Sequence, residues 1–332
     1  EAEGPVHERL GHIDNVSLVD PQPYDRFLAL LSRAHLVLTD SGGVQEEAPS
    51  FDVPVLARGE PEIRVLHLSD LHLLPRQQRK VDWVRALAAL DPHLVVTTGD
   101  NIADPHALPA LLHAYEPLLE RPGAFVLGSN DYFAPRPKNP GRYLLPDARD
   151  RRPPSGMLPF REMTAAFRAA GWRDLTNRRD DVVVRTEGGE RTIALVGVDD
   201  AHLDRDRFPS STRGQHGVGY GALHADLRLG VTHAPYARVL DAMHADGVDL
   251  VLAGHTHGGQ LCVPGWGALV TNCDLDTRRA KGLHGWPGPR PDRAGGEGST
   301  WLHVSAGLGT SPYAPVRFAC RPEASLLRLV PR

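Results

Sequence analysis

What this chain lacks narrows it first. Its three cysteines, Cys262, Cys273 and Cys320, are odd in number and have no paired zinc-type spacing, so a disulfide framework is not expected. No apolar run approaches the length of a membrane span, and the opening residues do not have the form of a signal peptide. Cytoplasmic residence is therefore the expected default. An excess of basic charge is missing too: the formal net charge is -4, which argues against a nucleic-acid partner. No solenoid-type repeat is found. What remains is a soluble globular composition, 41% hydrophobic and 23% charged, in 332 residues, enough for one large domain or two ordinary ones. Seventeen histidines is a high count and directs attention to metal ligands.

Two regions differ in pattern. Tyr24 to Ala34 has helical apolar spacing, His35 to Thr39 reads as a short strand, and Asp40-Ser41-Gly42-Gly43 as a turn opening a helix at Val44 to Glu47. Pro54 to Leu56 adds a second strand, giving half of a nucleotide-binding architecture over residues 1–60. From Ile63 a new alternation begins. It predicts strands at Ile63 to Leu68, His93 to Thr98, Ala124 to Leu127, Asp181 to Arg185, Thr192 to Val198, Leu227 to Thr232, Val248 to Ala253, Trp301 to Ser305 and Ser325 to Leu329. Helices are expected at Val81 to Leu90, Ala107 to Leu119, Phe160 to Ala170 and Ala237 to Ala245. The Gly-, Pro- and Arg-rich stretch Gly282 to Ser299 reads as a mobile surface loop.

Five short segments carry chemistry: Asp70-Leu71-His72, Gly99-Asp100-Asn101, Gly128-Ser129-Asn130-Asp131, Thr232-His233-Ala234 and Gly254-His255-Thr256-His257. Nearly all follow an apolar run. Parallel strands deliver residues at their ends to one crevice, so positions far apart in sequence can converge there. Carboxylates and neutral imidazoles at that density suit divalent transition metals, and a pair of such ions can clamp a phosphoryl group and activate water. Either D-x-H or G-D alone is common by chance. The ordered set of five is not, and two histidines among three glycines in GHTHGG pack poorly as core.

The pattern D-x-H, GD, GNHD, lone His and GHxH resembles the calcineurin-like metallophosphoesterase superfamily over about residues 62–332. The resemblance implies an α/β fold, a four-layer αββα sandwich of two mixed sheets, and hydrolysis of phosphate esters by a metal-bridging water attacking phosphorus. It implies two divalent ions (Mn, Fe, Zn or Mg) and a small-molecule phosphate-ester substrate. Asp70, His72 and His257 hold one metal in that pattern, and Asp100 bridges. His233, His255 and the Asn of GNHD hold the other. The ligating imidazoles must be neutral, so activity is expected to fall as pH drops.

The chain departs from the pattern at Gly128-Ser129-Asn130-Asp131. Aligned strictly, Ser129 replaces the ligating Asn and Asn130 replaces the His credited with protonating the leaving group. A shift of one residue makes Asn130 the ligand, favoured because its amide oxygen is the better donor. The implied catalytic positions are Asp100, Asn130 and Asp131. With the usual proton donor absent, either good leaving groups or His202 or His216 are expected to compensate. Asn139, Arg142 and Tyr143 have either a pocket-lining or a structural role.

Residues 8–57 resemble a different family, the non-hydrolysing UDP-N-acetylglucosamine 2-epimerases. The resemblance rests on Leu36-Val-Leu-Thr-Asp-Ser-Gly-Gly-Val-Gln-Glu-Glu-Ala-Pro-Ser50 followed by Pro54-Val-Leu. It implies a short Rossmann-like βα fragment in which Ser41 and Gly43 receive a diphosphate at a helix N-terminus, Glu47 binds ribose, and Gln22 and Phe27 contact uracil. The match ends at Arg58 to Glu62, and the family's catalytic carboxylates and His have no counterpart in the segment. A fused remnant is the expected reading; the alternative is an epimerase-related UDP-sugar-binding protein whose phosphoesterase part is inactive or accessory.

Overall fold

The computed structural model describes residues 19, 22–34, 37–39, 55–57, 62–137, 156–210 and 225–330. The chain divides into two compact units, Glu1–Glu60 and Pro61–Arg332. In the first, α1 (Tyr24–Leu31) precedes strands β1 (Val37–Thr39) and β2 (Val55–Ala57), which pair in parallel. Leu31 is buried in this unit and Phe27 is half-buried.

The second unit contains two larger sheets. In one, β3 (Ile63–Leu68), β4 (Leu94–Thr97), β5 (Gly123–Phe125) and β6 (Arg173–Asp174) run parallel, and β15 (Ser325–Leu329) closes the β3 edge antiparallel. Helices α2 (Gln78–Ala86), α3 (Leu108–Leu119) and α5 (Phe160–Ala169) cover its outer face; α4 (Ser129–Tyr132) is a single turn after β5. The other sheet has the order β13 (Gly282–Trp286), β14 (Thr300–Val304), β10 (Leu250–Ala253), β9 (Leu227–Thr232), β8 (Gly189–Gly197), β7 (Arg178–Thr186). Its outer face packs on α6 (Ala237–Ala245). A two-stranded ribbon pairs β11 (Cys262–Val263) with β12 (Gly267–Ala268).

Period-two alternation explains the layering. Leu66 and Leu68 face α2 and α3, while Ile63 and Val65 face the other sheet. Leu94, Val96, Ala124 and Val126 meet Ile193, Leu195, Leu229, Val231, Leu250 and Leu252 between the sheets. Val251, Ala253, Leu302 and Val304 turn the other way, toward Val239, Leu240 and Met243 of α6. Both faces of the parallel strands are thus apolar, as buried parallel sheet requires. The result is a four-layer αββα sandwich.

The expected mobile loop at Gly282 to Ser299 is corrected here. Its first five residues form β13, antiparallel to β14 across Gly282–Val304 to Trp286–Thr300. An edge strand needs pairing on one side only, so a glycine-rich composition sufficed. The 90s and 180s strands keep their places with shifted ends. Val81 to Leu90 splits into α2, which starts earlier, and a 3-10 turn at Leu87–Leu90.

Candidate metal centre

Strands β3, β4, β5, β9 and β10 all end at one rim, and the five segments sit immediately beyond those ends. The backbone there is unusual. Eleven non-glycine described residues have positive φ, and five of them are Asp70 (51°), His72 (43°), Asp100 (56°), His255 (69°) and His257 (50°). A left-handed conformation costs an L-residue energy and persists only where the surroundings impose it. Gly128 and Gly254 complete the rim by close approach. A Cβ on Gly128 would lie 2.3 Å from Asp100 Oδ1, and one on Gly254 would lie 1.9 Å from Ser69 Oγ.

Two overlapping groups of ligand atoms result, Asp70–His72–His257 and Asp70–Asp100–His233, with the atoms of each within 4.8 Å of one another. His72 Nε2 lies 3.3 Å from His257 Nε2, 3.4 Å from Asp100 Oδ2 and 4.0 Å from Asp70 Oδ1. His257 Nε2 is 3.6 Å from Asp70 Oδ1, and His233 Nε2 is 3.6 Å from Asp100 Oδ1.

Outer contacts aim these atoms. His233 Nδ1–H donates to Thr98 O at 2.8 Å and His257 Nδ1–H to Gly309 O at 3.1 Å, so both rings present Nε2 to the cluster. Asp70 Oδ2 accepts from Ser69 Oγ at 2.6 Å and from His255 N at 2.9 Å. A chain of hydrogen bonds continues behind Ser69. Thr98 Oγ1 donates to Ser69 Oγ at 2.6 Å, His67 Nε2 meets Thr98 Oγ1 at 3.1 Å, and His303 Nδ1 meets His67 Nδ1 at 2.9 Å. The Asp70 carboxylate can only accept, which sets one direction along the chain: His67 carries its proton on Nε2 and His303 on Nδ1.

Asp70 Oδ1 and His233 Nε2 are left buried with no hydrogen-bond partner. Orphaned polar atoms at that depth are costly, and carboxylate oxygen with imidazole nitrogen is a donor set for Mn, Fe or Zn. The residues present fit a divalent cation.

Electrostatics differ across the cluster. Burial lowers His72, and it pushes His255 and His257 down to about 4. Burial opposes charge on His233 as well, yet Asp100, Asp200 and Asp70 together raise it to about 9. Asp70 and Asp100 are held below the usual carboxylate range by the surrounding imidazoles, despite burial. A proton on His233 balances the carboxylates, and a cation would displace it.

Not every expected residue joins the two groups. The His255 ring packs against His233 (5.2 Å between centroids) and His202 (4.5 Å), and its Nε2 meets Asn272 O at 3.2 Å. Asn130 reaches the cluster through its nitrogens: backbone N donates to Asp100 Oδ1 at 2.8 Å and Nδ2 to Oδ2 at 2.7 Å. Asp131 stands behind, accepting from the backbone N–H groups of Asp100, Asn101 and Gly128 at 2.8 to 2.9 Å. Burial and the nearby Asp100 charge push its carboxyl up to about 7, against those donors. His202 Nδ1 lies 3.1 Å from Tyr236 Oη. His216, Asn139, Arg142, Tyr143, Ser41, Gly43 and Glu47 lie outside the described residues, while Gln22 and Phe27 flank and enter α1, both half-buried. Sequence reasoning missed Ser69, Thr98, His67 and His303. Their small or singly placed polar side chains have no motif, and only strand register within one sheet and the packing of the two sheets bring them together.

The calcineurin-like phosphoesterase profile matches residues 63–259, more than half of the chain, and the chain belongs to that family. It is a metal-dependent phosphoesterase. A UDP-N-acetylglucosamine 2-epimerase profile matches residues 1–62. In that segment the chain is 55% identical over 56 residues to the UDP-N-acetylglucosamine 2-epimerase of Salmonella typhimurium, covering 17% of this chain and 15% of that protein. The Escherichia coli K12 enzyme is 60% identical over 52 residues, 16% of this chain and 14% of its own length. The chain thus spans about one-seventh of these relatives. Among solved structures, TT1561 of Thermus thermophilus aligns at 12% identity and a TM-score of 0.39, over 74% of this chain and 90% of its own. GAP50, the anchor in the inner membrane complex of Plasmodium, aligns at 14% identity and 0.38, over 80% and 78%.

Proposed function

We propose that the chain hydrolyses small phosphate esters at a centre of two divalent cations. Asp70, His72 and His257 would hold one ion and Asp100, His233, His255 and Asn130 the other; Asp70 belongs to both groups of ligand atoms, and Asp100 lies beside His72 as well as His233. The observation that carries this reading is the pair of buried, partnerless atoms, Asp70 Oδ1 and His233 Nε2, inside one cluster of donors. Bound there, such ions supply acidified water and positive charge to a phosphoryl group.

The chain's own groups do the rest. Ser69 and His255 N occupy Asp70 Oδ2 and so keep its other oxygen for the ion. Asp131 braces the Asp100 and Gly128 backbone, a positioning role in place of the direct catalytic one expected from the motif. Rotation of the Asn130 amide exchanges nitrogen for oxygen at the position facing Asp100, which is what a ligand there requires. His202 lies beside the His255 ring and meets the Tyr236 phenol, and it suits the task of protonating a leaving group. Turnover of an aryl phosphate with added manganese, together with elemental analysis, tests the whole; full turnover in Asp100→Asn with unchanged metal content would refute it.

A second reading concerns residues 1–62. Their likeness to UDP-N-acetylglucosamine 2-epimerases supports binding of UDP by Gln22, Phe27, Ser41, Gly43 and Glu47. Calorimetric titration with UDP tests it, and no heat at millimolar ligand removes it.

A further inference from the structure

Among the described residues of the phosphoesterase unit, buried polar atoms without partners collect in two places. One is the metal centre. The other is a half-open pocket of about 320 Å³ lined by α5, the turn between β6 and β7, and the segment after β8. It is lined by Thr164 and Thr176, whose Oγ1 atoms are buried and have no hydrogen-bond partner. Thr164 is 8% exposed, so its hydroxyl is withheld from bulk water.

The charge around this cavity is one-sided. Four arginines line it against two aspartates. Arg168 is paired to Asp174, and Arg205 is paired to Asp199 at 2.9 Å while lying 3.9 Å over the Tyr132 ring. Arg161 and Arg178 have no carboxylate partner among the described residues. Among the described residues the surplus is therefore two positive charges, carried by Arg161, whose guanidinium lies 5.4 Å over the Phe160 ring, and by Arg178. Guanidinium forks with hydroxyl donors match a phosphate, which offers several acceptor oxygens at once.

The location gives the phosphate a source. Leu127 and Tyr132, both lining the cavity, flank the Gly128–Asp131 turn that brings Asn130 onto Asp100. The segment after β8 that carries Asp199 and Arg205 also carries His202 to the His255 ring. We propose that this cavity is a phosphate-binding site beside the metal centre, filled by a second phosphate group of the substrate. The part concerning the substrate rests on the phosphoesterase reading above. It makes the favoured substrate class esters bearing two phosphates, one at the metals and one between Arg161 and Arg178.

The test titrates inorganic phosphate into the metal-loaded full chain by calorimetry, in wild type, in the Arg161→Gln/Arg178→Gln variant and in Asp100→Asn. Both arginines are exposed, so the double variant should fold. Two binding events are expected in wild type. The double variant should lose one of them, weakened at least about tenfold, as expected when charge-assisted hydrogen bonds are removed. Asp100→Asn should lose the other. A single event shared by wild type and double variant overturns the cavity site. Unchanged binding in Asp100→Asn counts instead against the metal reading, leaving the cavity to be judged on the arginine variant alone. Propane-1,3-diol bisphosphate against propyl phosphate then separates the sources. A preference in kcat/KM for the bisphosphate that shrinks about tenfold in the double variant assigns the cavity to the substrate. An equal preference in both proteins assigns it to free phosphate.

Discussion

The two sides of the metal centre are built differently. Around His72 and His257 the structure has a closed triad with Asp70, nitrogen facing nitrogen at 3.3 Å, and burial keeps both rings neutral. Around His233 the arrangement is looser. His233 itself is driven toward its charged form, His255 turns its Nε2 to Asn272 O, and Asn130 offers an amide nitrogen where a ligand needs oxygen. On the proposed assignment one side is ready for a cation, while the other would have to lose a proton and turn two side chains. The difference teaches that preorganisation is local even within one cluster. On the proposed assignment it implies two distinguishable affinities, seen as two phases in a manganese titration.

The largest effect should come from breaking what both sides share. Asp100→Asn removes the carboxylate that lies within 3.6 Å of both His72 and His233, and kcat should fall roughly a thousandfold, the scale of losing preorganised charge in an active site. Near-normal turnover in that variant would mean that the centre lies elsewhere.

Acid attacks the frame behind the closed side. Burial, then His284, pushes His303 down to about 4, and burial with His303 holds His67 well below its ordinary value. In the unfolded chain these groups titrate near 6.5, so between pH 6.5 and 4 the unfolded state binds more protons than the folded one. Stability present above pH 6.5 is therefore lost as pH falls through that window, by on the order of 3 kcal/mol for His303 alone. Urea midpoints measured from pH 7 to 4.5 check this, and His303→Gln should flatten the slope.

His257→Ala and His255→Ala sharpen the comparison directly. The first opens the closed triad and should weaken the tighter metal phase about a hundredfold. The second should leave that phase largely intact and affect the weaker one. Equal losses on both phases would erase the asymmetry. The smallest change is Ser69→Ala, which frees Asp70 Oδ2 from its 2.6 Å donor and should weaken the tighter phase about tenfold while leaving the thermal midpoint nearly unchanged.

How much of this was legible in the sequence depends on range. Ile63 to Leu68, Leu227 to Thr232 and Ser325 to Leu329 were read with the ends they have, because period-two apolar runs bounded by polar residues are local signals. Asp70, Asp100, His233 and His257 were legible as one set because each stands just past such a run. The edge strand β13 was hidden by its glycines. The His303–His67–Thr98–Ser69 chain was hidden for a different reason: it joins residues 236 positions apart, and only the pairing of two sheets brings them within 2.9 Å. The turning of His255 and Asn130 was equally invisible, since rotamers follow packing and not motif.

The proposed ligands also come from both halves of the sandwich: Asp70, His72 and Asp100 from the β3–β4 sheet, and His233, His255 and His257 from the β9–β10 sheet. An ion held between them acts as a rivet through two plates. Cation loading and global stability are then thermodynamically linked, and chelation should lower the melting temperature of the phosphoesterase unit as well as its turnover. For such a molecule, scarcity of the metal would register as a shortened lifetime of the protein as well as slow chemistry.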